Sequence, residues 1–235
     1  MVFEEITNGL YPQKYNDKIL NWLKERYGNK EGEEIFEETK KNYLSYYEDL
    51  PDYGGKKNGH AMAIYGGVLV FALYKSLPDH PEIEEIQEFI QELFMEPFIK
   101  LGKFFDLNKR SHMRLIDIVF HRVGKRDQKD ILIYPDGFVN VDEPYDSRNQ
   151  ISRYSFTQCP NAQFAKKHDL LHVLPLLCNC DYFGIEQIHG KLIRCGTCGN
   201  SERCDYCVVG DRNPLAQDYE TVKDDKGFLV SRKKG

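Results

Sequence analysis

The segment that most constrains the fold is a nearly continuous apolar run from His60 to Leu77. No apolar run in the chain reaches the roughly 20 residues needed to cross a bilayer, so we expect no membrane partner. The run therefore predicts a helix buried at the centre of a protein core. Gly66 and Gly67 permit close packing around this helix at some cost in helix propensity.

Amphipathic patterns on both sides of this run predict further helices. Residues 17–27 and 33–48 each place apolar side chains on one helical face. Apolar residues from Ile83 to Leu93 also recur at helical spacing. We therefore predict a region of four or five helices over residues 1–105.

Strand and turn signals become more frequent in residues 106–235. Residues 130–134 and 138–141 predict a hairpin around a Pro-Asp-Gly turn, and residues 151–157 predict a strand. The polar residues 220–235 predict a loosely held tail. The chain is thus predicted to be an α+β protein, with the N-terminal helical region packed on a C-terminal mixed domain that contains a small antiparallel sheet.

The charge balance excludes some classes of partner. The net charge is −5, and the Lys and Arg residues are scattered among more numerous carboxylates. Proteins that bind nucleic acid cluster their cations, so nucleic acid is not expected as a partner. The acidic N-terminus lacks the pattern of a signal peptide, which predicts a cytoplasmic protein. The sequence leaves the oligomeric state open.

The cysteines are confined to one segment. All seven lie between Cys159 and Cys207. An odd number without a signal peptide argues against a framework of disulfides. Clustered thiols in a reducing compartment indicate metal ligation, nucleophilic chemistry, redox exchange or buried packing instead.

Four of these thiols form two C-x-x-C units, Cys195 with Cys198 and Cys204 with Cys207. Such pairs are typical of a zinc site, or of an iron–sulfur cluster. The five-residue spacer is shorter than the usual roughly 12–20 residues. On a regular hairpin over 191–209, Cys195 would face Cys207 and Cys198 would face Cys204, on opposite sides of the sheet. The alternatives are buried apolar thiols, which need no cofactor, and thiol–disulfide exchange, for which the βαβ context is missing.

Four residues are candidates for catalysis or substrate binding. Cys159 precedes Pro160 at a predicted helix N-terminus, where backbone amides favour a thiolate. Asp181 is either an acid–base group or a helix cap. His60 would be held rigidly at the start of the buried helix. Arg194 either binds a substrate carboxylate or forms an internal ion pair with a residue such as Asp205.

The C-terminal half also resembles a known family over roughly residues 150–210. The resemblance rests on short segments in a particular order: Cys159-Pro160, Phe164 to His168, Leu176 to Tyr182, Lys191 to Arg194 with Thr197, and Cys204 to Tyr206. Together they are similar to the L-2-amino-thiazoline-4-carboxylic acid hydrolase family. The resemblance implies hydrolysis of a carbon–nitrogen or carbon–sulfur bond in a small heterocycle, with no obligatory organic cofactor. Its pattern maps onto Cys159, Cys178, Asp181, Arg194, Thr197 and Cys204.

These observations give two competing hypotheses. The first is a cysteine-dependent hydrolase of a small carboxylate-bearing heterocycle, in which Cys159 attacks the ring carbon and Asp181 or His60 moves protons. Arg194 would hold the carboxylate, and Thr197 would help to bind the substrate. The second is a module without hydrolase activity that binds zinc or an iron–sulfur cluster through the paired C-x-x-C cysteines.

Overall fold

A computed structural model describes Thr7 and residues 9–235. The chain divides into two compact units, one ending at Leu93 and the other comprising Phe94–Gly235. The division between the two units lies inside a helix. The composition of the sequence instead predicts a domain boundary near residue 105. The predicted α+β class is confirmed, since helices come first and small antiparallel sheets follow. No helix within the described residues is long and apolar enough to cross a membrane.

The first unit is helical. Its long helices are α1 (Asn16–Tyr27), α2 (Asn29–Glu48), α3 (Ala61–Ser76) and α4 (Ile83–Gly102), of which α4 continues past Leu93. Two short 3-10 helices lie at Gln13–Tyr15 and Gly55–Lys57.

The predicted buried helix is confirmed as α3. Twelve of its 16 residues are buried, so it is apolar around its whole circumference. Helix α2 packs against both α1 and α3. It turns Ile35, Phe36 and Tyr43 into the core, each of which is buried. Burying a large apolar side chain contributes about 1.5–3 kcal/mol, so these contacts are the main stabilising term of this unit.

Gly32 sets how closely α1 and α2 approach. A β-carbon at this position would lie 2.8 Å from the backbone carbon of Leu23 and 2.8 Å from the nitrogen of Lys24. Both are backbone atoms, which cannot rotate away as a flexible side chain can.

Replacing Gly32 by Ala should therefore destabilise the protein. Alanine gains about 1 kcal/mol in helix propensity, but overpacking against backbone costs about 1–3 kcal/mol. We expect a net loss of about 1 kcal/mol in the free energy of unfolding, measured with urea, whereas Lys30→Ala on the exposed face of α2 changes it by less than about 0.5 kcal/mol. A Gly32→Ala protein as stable as the wild type would contradict the close contact.

The second unit is built on a four-stranded antiparallel sheet with the order β1-β2-β4-β3. The strands are β1 (Val139–Asp142), β2 (Ser152–Gln158), β3 (Gly190–Ile193) and β4 (Cys204–Gly210). The helices are α5 (Arg110–Asp130), α6 (Pro160–Lys167), α7 (Pro175–Cys178), α8 (Cys180–Gln187) and α9 (Pro214–Gln217). One core cluster joins α5 and α8 to the sheet through residues such as Ile116, Ile185 and Val208.

The predicted hairpin of residues 130–134 with 138–141 is wrong. Residues 131–134 continue from α5 as hydrogen-bonded turns, with the Tyr134 amide 2.7 Å from the Asp130 carbonyl oxygen. Strand β1 pairs with β2 instead. The β-branched run therefore forms the turns that follow α5, because a short apolar run is compatible with either a strand or a helical segment.

The predicted loose tail is also wrong. Most of residues 220–235 belong to a hairpin of β5 (Tyr219–Lys223) and β6 (Leu229–Lys233). The Asp224 carboxylate accepts hydrogen bonds from the Lys226 and Phe228 amides and shapes the turn. Phe228 is buried, so the hairpin is anchored despite its polar composition.

Candidate functional site

The centre of the candidate site is the fully buried side chain of Arg194, directly after β3. Its Nη1 donates to Asp181 Oδ2 at 2.8 Å, and its Nη2 donates to the Cys178 carbonyl oxygen at 2.8 Å. A buried cation requires such partners because desolvation is expensive. The internal ion pair considered for Arg194 is present, but its partner is Asp181 and not Asp205.

Asp181 connects this buried cation to solvent. It lies in the first turn of α8, and its side chain is 37% exposed. Its Oδ2 also accepts a hydrogen bond from the Tyr206 hydroxyl at 2.7 Å. The residue at the N-cap of α8 is Asn179 and not Asp181. The Asp181 carboxylate instead bonds Arg194 and Tyr206, so its role is more than that of a helix cap. Two donors on one oxygen leave Oδ1 for water or a ligand.

Three tyrosines complete the surroundings of Arg194, and sequence reasoning gave none of them a role. The Tyr182 ring centre lies 4.9 Å from the guanidinium, and the Tyr182 hydroxyl donates to the Arg194 carbonyl oxygen at 3.2 Å. Tyr206 of β4 and Tyr154 of β2 are paired across the sheet, and their rings stack at 4.5 Å. The Arg194 guanidinium lies 5.5 Å from the centre of the Tyr206 ring, within the range of a cation–π contact. Burial raises the pKa of Tyr206 well above its ordinary value, so Tyr206 stays a hydrogen-bond donor. The alternation in β4, which puts Tyr206 on the same side as Cys204, was the available signal.

Cys204 is the thiol in contact with the cation. Its Sγ lies 3.9 Å from Arg194 Nη1, and its side chain is buried. Burial raises the pKa of Cys204 to about 12, although Arg194 acts in the opposite direction. The thiol is therefore neutral at physiological pH.

Cys159 precedes α6, as its sequence position predicts. Burial raises its pKa to about 12, and the amides of Ala162 and Asn161 only partly offset this effect. Electrostatic interactions connect Cys159 with Cys204 and with Cys178. Cys178 and Cys204 each interact electrostatically with Arg194 and Asp181, so Cys159 is linked to this ion pair, and to Tyr206 beside it, through the two other thiols. We call these six residues the Arg194 cluster.

The remaining predicted residues lie apart from these contacts. The Thr197 hydroxyl is bonded within its own turn, to Asn200 Oδ1 at 3.1 Å and to the Gly199 amide at 3.2 Å. Its role in substrate binding stays a prediction. His60 lies in the first unit, just before α3, and its catalytic role also stays a prediction.

The four C-x-x-C thiols do not form the predicted hairpin. Strand β3 ends at Ile193, which pairs with Cys207, so the register is shifted by two residues from the prediction. The Asp205 carboxylate draws the Cys195 and Gly196 amides out of the sheet. Cys195 is exposed, whereas the Cys198 thiol lies 3.3 Å from the Phe156 carbonyl oxygen.

This arrangement bears on the metal hypothesis. Cys204 and Cys207 are three residues apart in β4 and therefore point to opposite sides of the sheet. Across Thr7 and residues 9–235, no group of three or more His, Cys, Asp or Glu side chains is arranged to hold a metal ion. The set Cys195, Cys198, Cys204 and Cys207 thus has no convergent geometry.

Comparisons with known proteins give one family. The family model described as L-2-amino-thiazoline-4-carboxylic acid hydrolase matches residues 61–208, which include the whole Arg194 cluster. No curated protein and no solved structure matches the chain.

The raised pKa of Cys204 predicts a loss of stability in alkali. An ordinary thiol titrates at 9.0 and the native Cys204 thiol at about 12, so the native state holds this proton more tightly. The resulting stabilisation is complete below about pH 9 and is lost as the pH rises towards 12. Between these values the free energy of unfolding falls by up to about 1.4 kcal/mol per pH unit for each such group.

The measurement is urea unfolding of the wild type and Cys204→Ala from about pH 9 to about pH 11. The slope should be shallower in the variant, because one titrating group has been removed. The comparison of slopes is independent of the packing lost in the variant. Equal slopes would show that the Cys204 pKa is not raised by folding.

Proposed function

Because the chain belongs to the L-2-amino-thiazoline-4-carboxylic acid hydrolase family, we propose that it hydrolyses a small carboxylate-bearing heterocycle of the thiazoline or cyclic amidine type. The observation that carries the proposal is the Arg194 cluster. In it, a carboxylate oriented by a cation and a phenol interacts with the half-buried Cys178 and the buried Cys204, and Cys159 is linked to both thiols. Thiol and carboxylate together are the groups that addition to a carbon–nitrogen double bond requires.

In the proposed reaction, Cys159 is the nucleophile. Its sulfur bonds to the ring carbon, the electron pair of the C=N bond moves to nitrogen, and the thiol proton ends on that nitrogen. A ring bond from that carbon to sulfur or nitrogen then breaks, and its electron pair leaves with the ring heteroatom. An amino nitrogen on the same carbon re-forms a C=N bond and gives its proton to that heteroatom, so the carbon stays attached to Cys159. Water attacks this carbon, the carbon–sulfur bond to the enzyme breaks, and a proton returns to the thiol.

The raised pKa of Cys159 explains why the reaction needs a proton acceptor. With a pKa of about 12, the resting thiol is protonated at neutral pH and is a poor nucleophile. We assign the transfer of this proton to Asp181. Arg194 and Tyr206 both donate to Oδ2 and fix the carboxylate, which leaves Oδ1 to exchange the proton.

Arg194 supports the preference for a carboxylate-bearing substrate. Its Nε is buried and makes no hydrogen bond with any described residue, which is a costly state for a cationic donor. A substrate carboxylate that enters beside Asp181 would accept this bond. Arg194 would then orient the ring while Asp181 handles protons.

The test uses 2-amino-thiazoline-4-carboxylate as substrate and mass spectrometry of the ring-opened product. Cys159→Ser should reduce turnover by about a thousandfold or more, because a hydroxyl is a far weaker nucleophile without a dedicated base. Cys195→Ser, which changes an exposed thiol outside the cluster, should leave turnover unchanged. Circular dichroism checks that both variants fold.

Two outcomes would overturn the proposal. Turnover by Cys159→Ser at the wild-type rate would remove the nucleophile assignment. Absence of turnover by the wild type on thiazoline and cyclic amidine carboxylates would remove the substrate class. Acid quenching during turnover should also trap the substrate carbon on the peptide that contains Cys159.

A further inference from the structure

A second group of polar side chains surrounds a cavity beside α5, and none of its lining residues belongs to the Arg194 cluster. The cavity has a volume of about 400 Å³. All but one of its lining residues come from α5, at spacings of three or four residues that place them on one flank of the helix. The lining residues are Arg114, Asp117, Ile118, His121, Arg122, Lys125 and Tyr145.

Asp117 fixes part of this flank. Its side chain is only 3% exposed, and it accepts hydrogen bonds from Arg114 Nη1 at 2.8 Å and from the Ser152 hydroxyl at 3.0 Å. The Arg114 guanidinium also lies 4.8 Å from the centre of the Tyr145 ring. The one carboxylate in the lining is therefore engaged by Arg114 and Ser152, and its Oδ1 also lies 3.9 Å from His121 Nδ1.

Arg122 and Lys125 are not held in this way, although the Asp142 carboxylate of β1 acts electrostatically on Lys125 and on His121. Both are exposed, and neither forms an ion pair or hydrogen bond with the part of the chain that the structure describes. The lining thus carries three cations, Arg114, Arg122 and Lys125, against one carboxylate. With the neighbouring Asp142 carboxylate included, the excess is one positive charge without counting His121. This charge is concentrated on one concave surface of a protein whose net charge is −5.

The wall of the cavity also holds an unused donor. The Tyr145 hydroxyl is buried and makes no hydrogen bond with any described residue. Buried polar groups are nearly always hydrogen-bonded, so a missing acceptor is a reason to expect a ligand atom nearby. The acceptor that suits such surroundings is an anion.

We propose that this cavity binds a phosphate dianion, either free or as the monoester of a small molecule. The excess of cations favours an anion, and the planar forks of two arginines match phosphate oxygens. A phosphate offers enough oxygens to accept from Arg114, Arg122, Lys125 and Tyr145 together. The volume accommodates the phosphate with a small organic group, since ligand pockets begin at about 300 Å³. The proposal does not depend on the hydrolase activity.

The test is isothermal titration calorimetry of the full chain with inorganic phosphate and, separately, with glycerol 3-phosphate, in buffers matched in ionic strength with chloride. We expect saturable binding of one equivalent. Arg122→Gln and Lys125→Gln should each weaken it by about fivefold or more, because each loses a charge-assisted hydrogen bond. Lys103→Gln, which removes one positive charge from an exposed site outside the cavity, should leave it unchanged.

The two ligands distinguish the sources of the anion. Equal affinities indicate a site for free phosphate, and tighter binding of glycerol 3-phosphate indicates a site for a monoester. The absence of saturable binding of either ligand would overturn the proposal. So would an equal loss of affinity in Lys103→Gln and Arg122→Gln, since that result means unspecific attraction.

Discussion

The burial of one guanidinium group governs the second unit. Arg194 can leave water only because separate parts of the chain supply its partners: the start of α8 through Asp181, the end of α7 through the Cys178 carbonyl, and β4 through Tyr206. Its backbone is held as well, since the Arg194 carbonyl accepts from the Ser231 amide at 2.6 Å. A single charged side chain thus links two helices, the sheet and the last hairpin.

The burial of the thiols themselves sets their chemistry. A thiolate is disfavoured away from water, so the pKa values of Cys159 and Cys204 both lie at about 12. The thiols therefore resist unwanted oxidation and alkylation, which attack the thiolate. A protonated thiol is a poor nucleophile, so it must lose its proton when substrate binds. In the proposed reaction the Asp181 carboxylate accepts this proton, in addition to pairing with Arg194.

The sequence allowed the helices of the first unit to be predicted. The apolar run of α3 must be buried to be shielded from water, and the amphipathic spacing of the neighbouring segments supplies the faces that cover it. It did not reveal α5, whose buried face includes Asp117, Gly124 and Asp127 and so lacks a clean apolar pattern. It identified Asp181 and Arg194 as separate candidates. Their pairing depends on where β3 ends, and that is decided by the capture of the Cys195 and Gly196 amides by Asp205. Tyr206 was overlooked because a tyrosine in a strand is typical of ordinary core packing.

The most direct measurement of the central claim is a double-mutant cycle between Arg194 and Asp181. Free energies of unfolding would be determined with urea for the wild type, Arg194→Met, Asp181→Asn and the double variant. If the buried guanidinium depends on its carboxylate, the double variant loses less stability than the sum of the single variants, with a coupling energy of about 2–3 kcal/mol. Losses that add within about 0.5 kcal/mol would mean that the two side chains do not depend on each other, and the account of the site would fail.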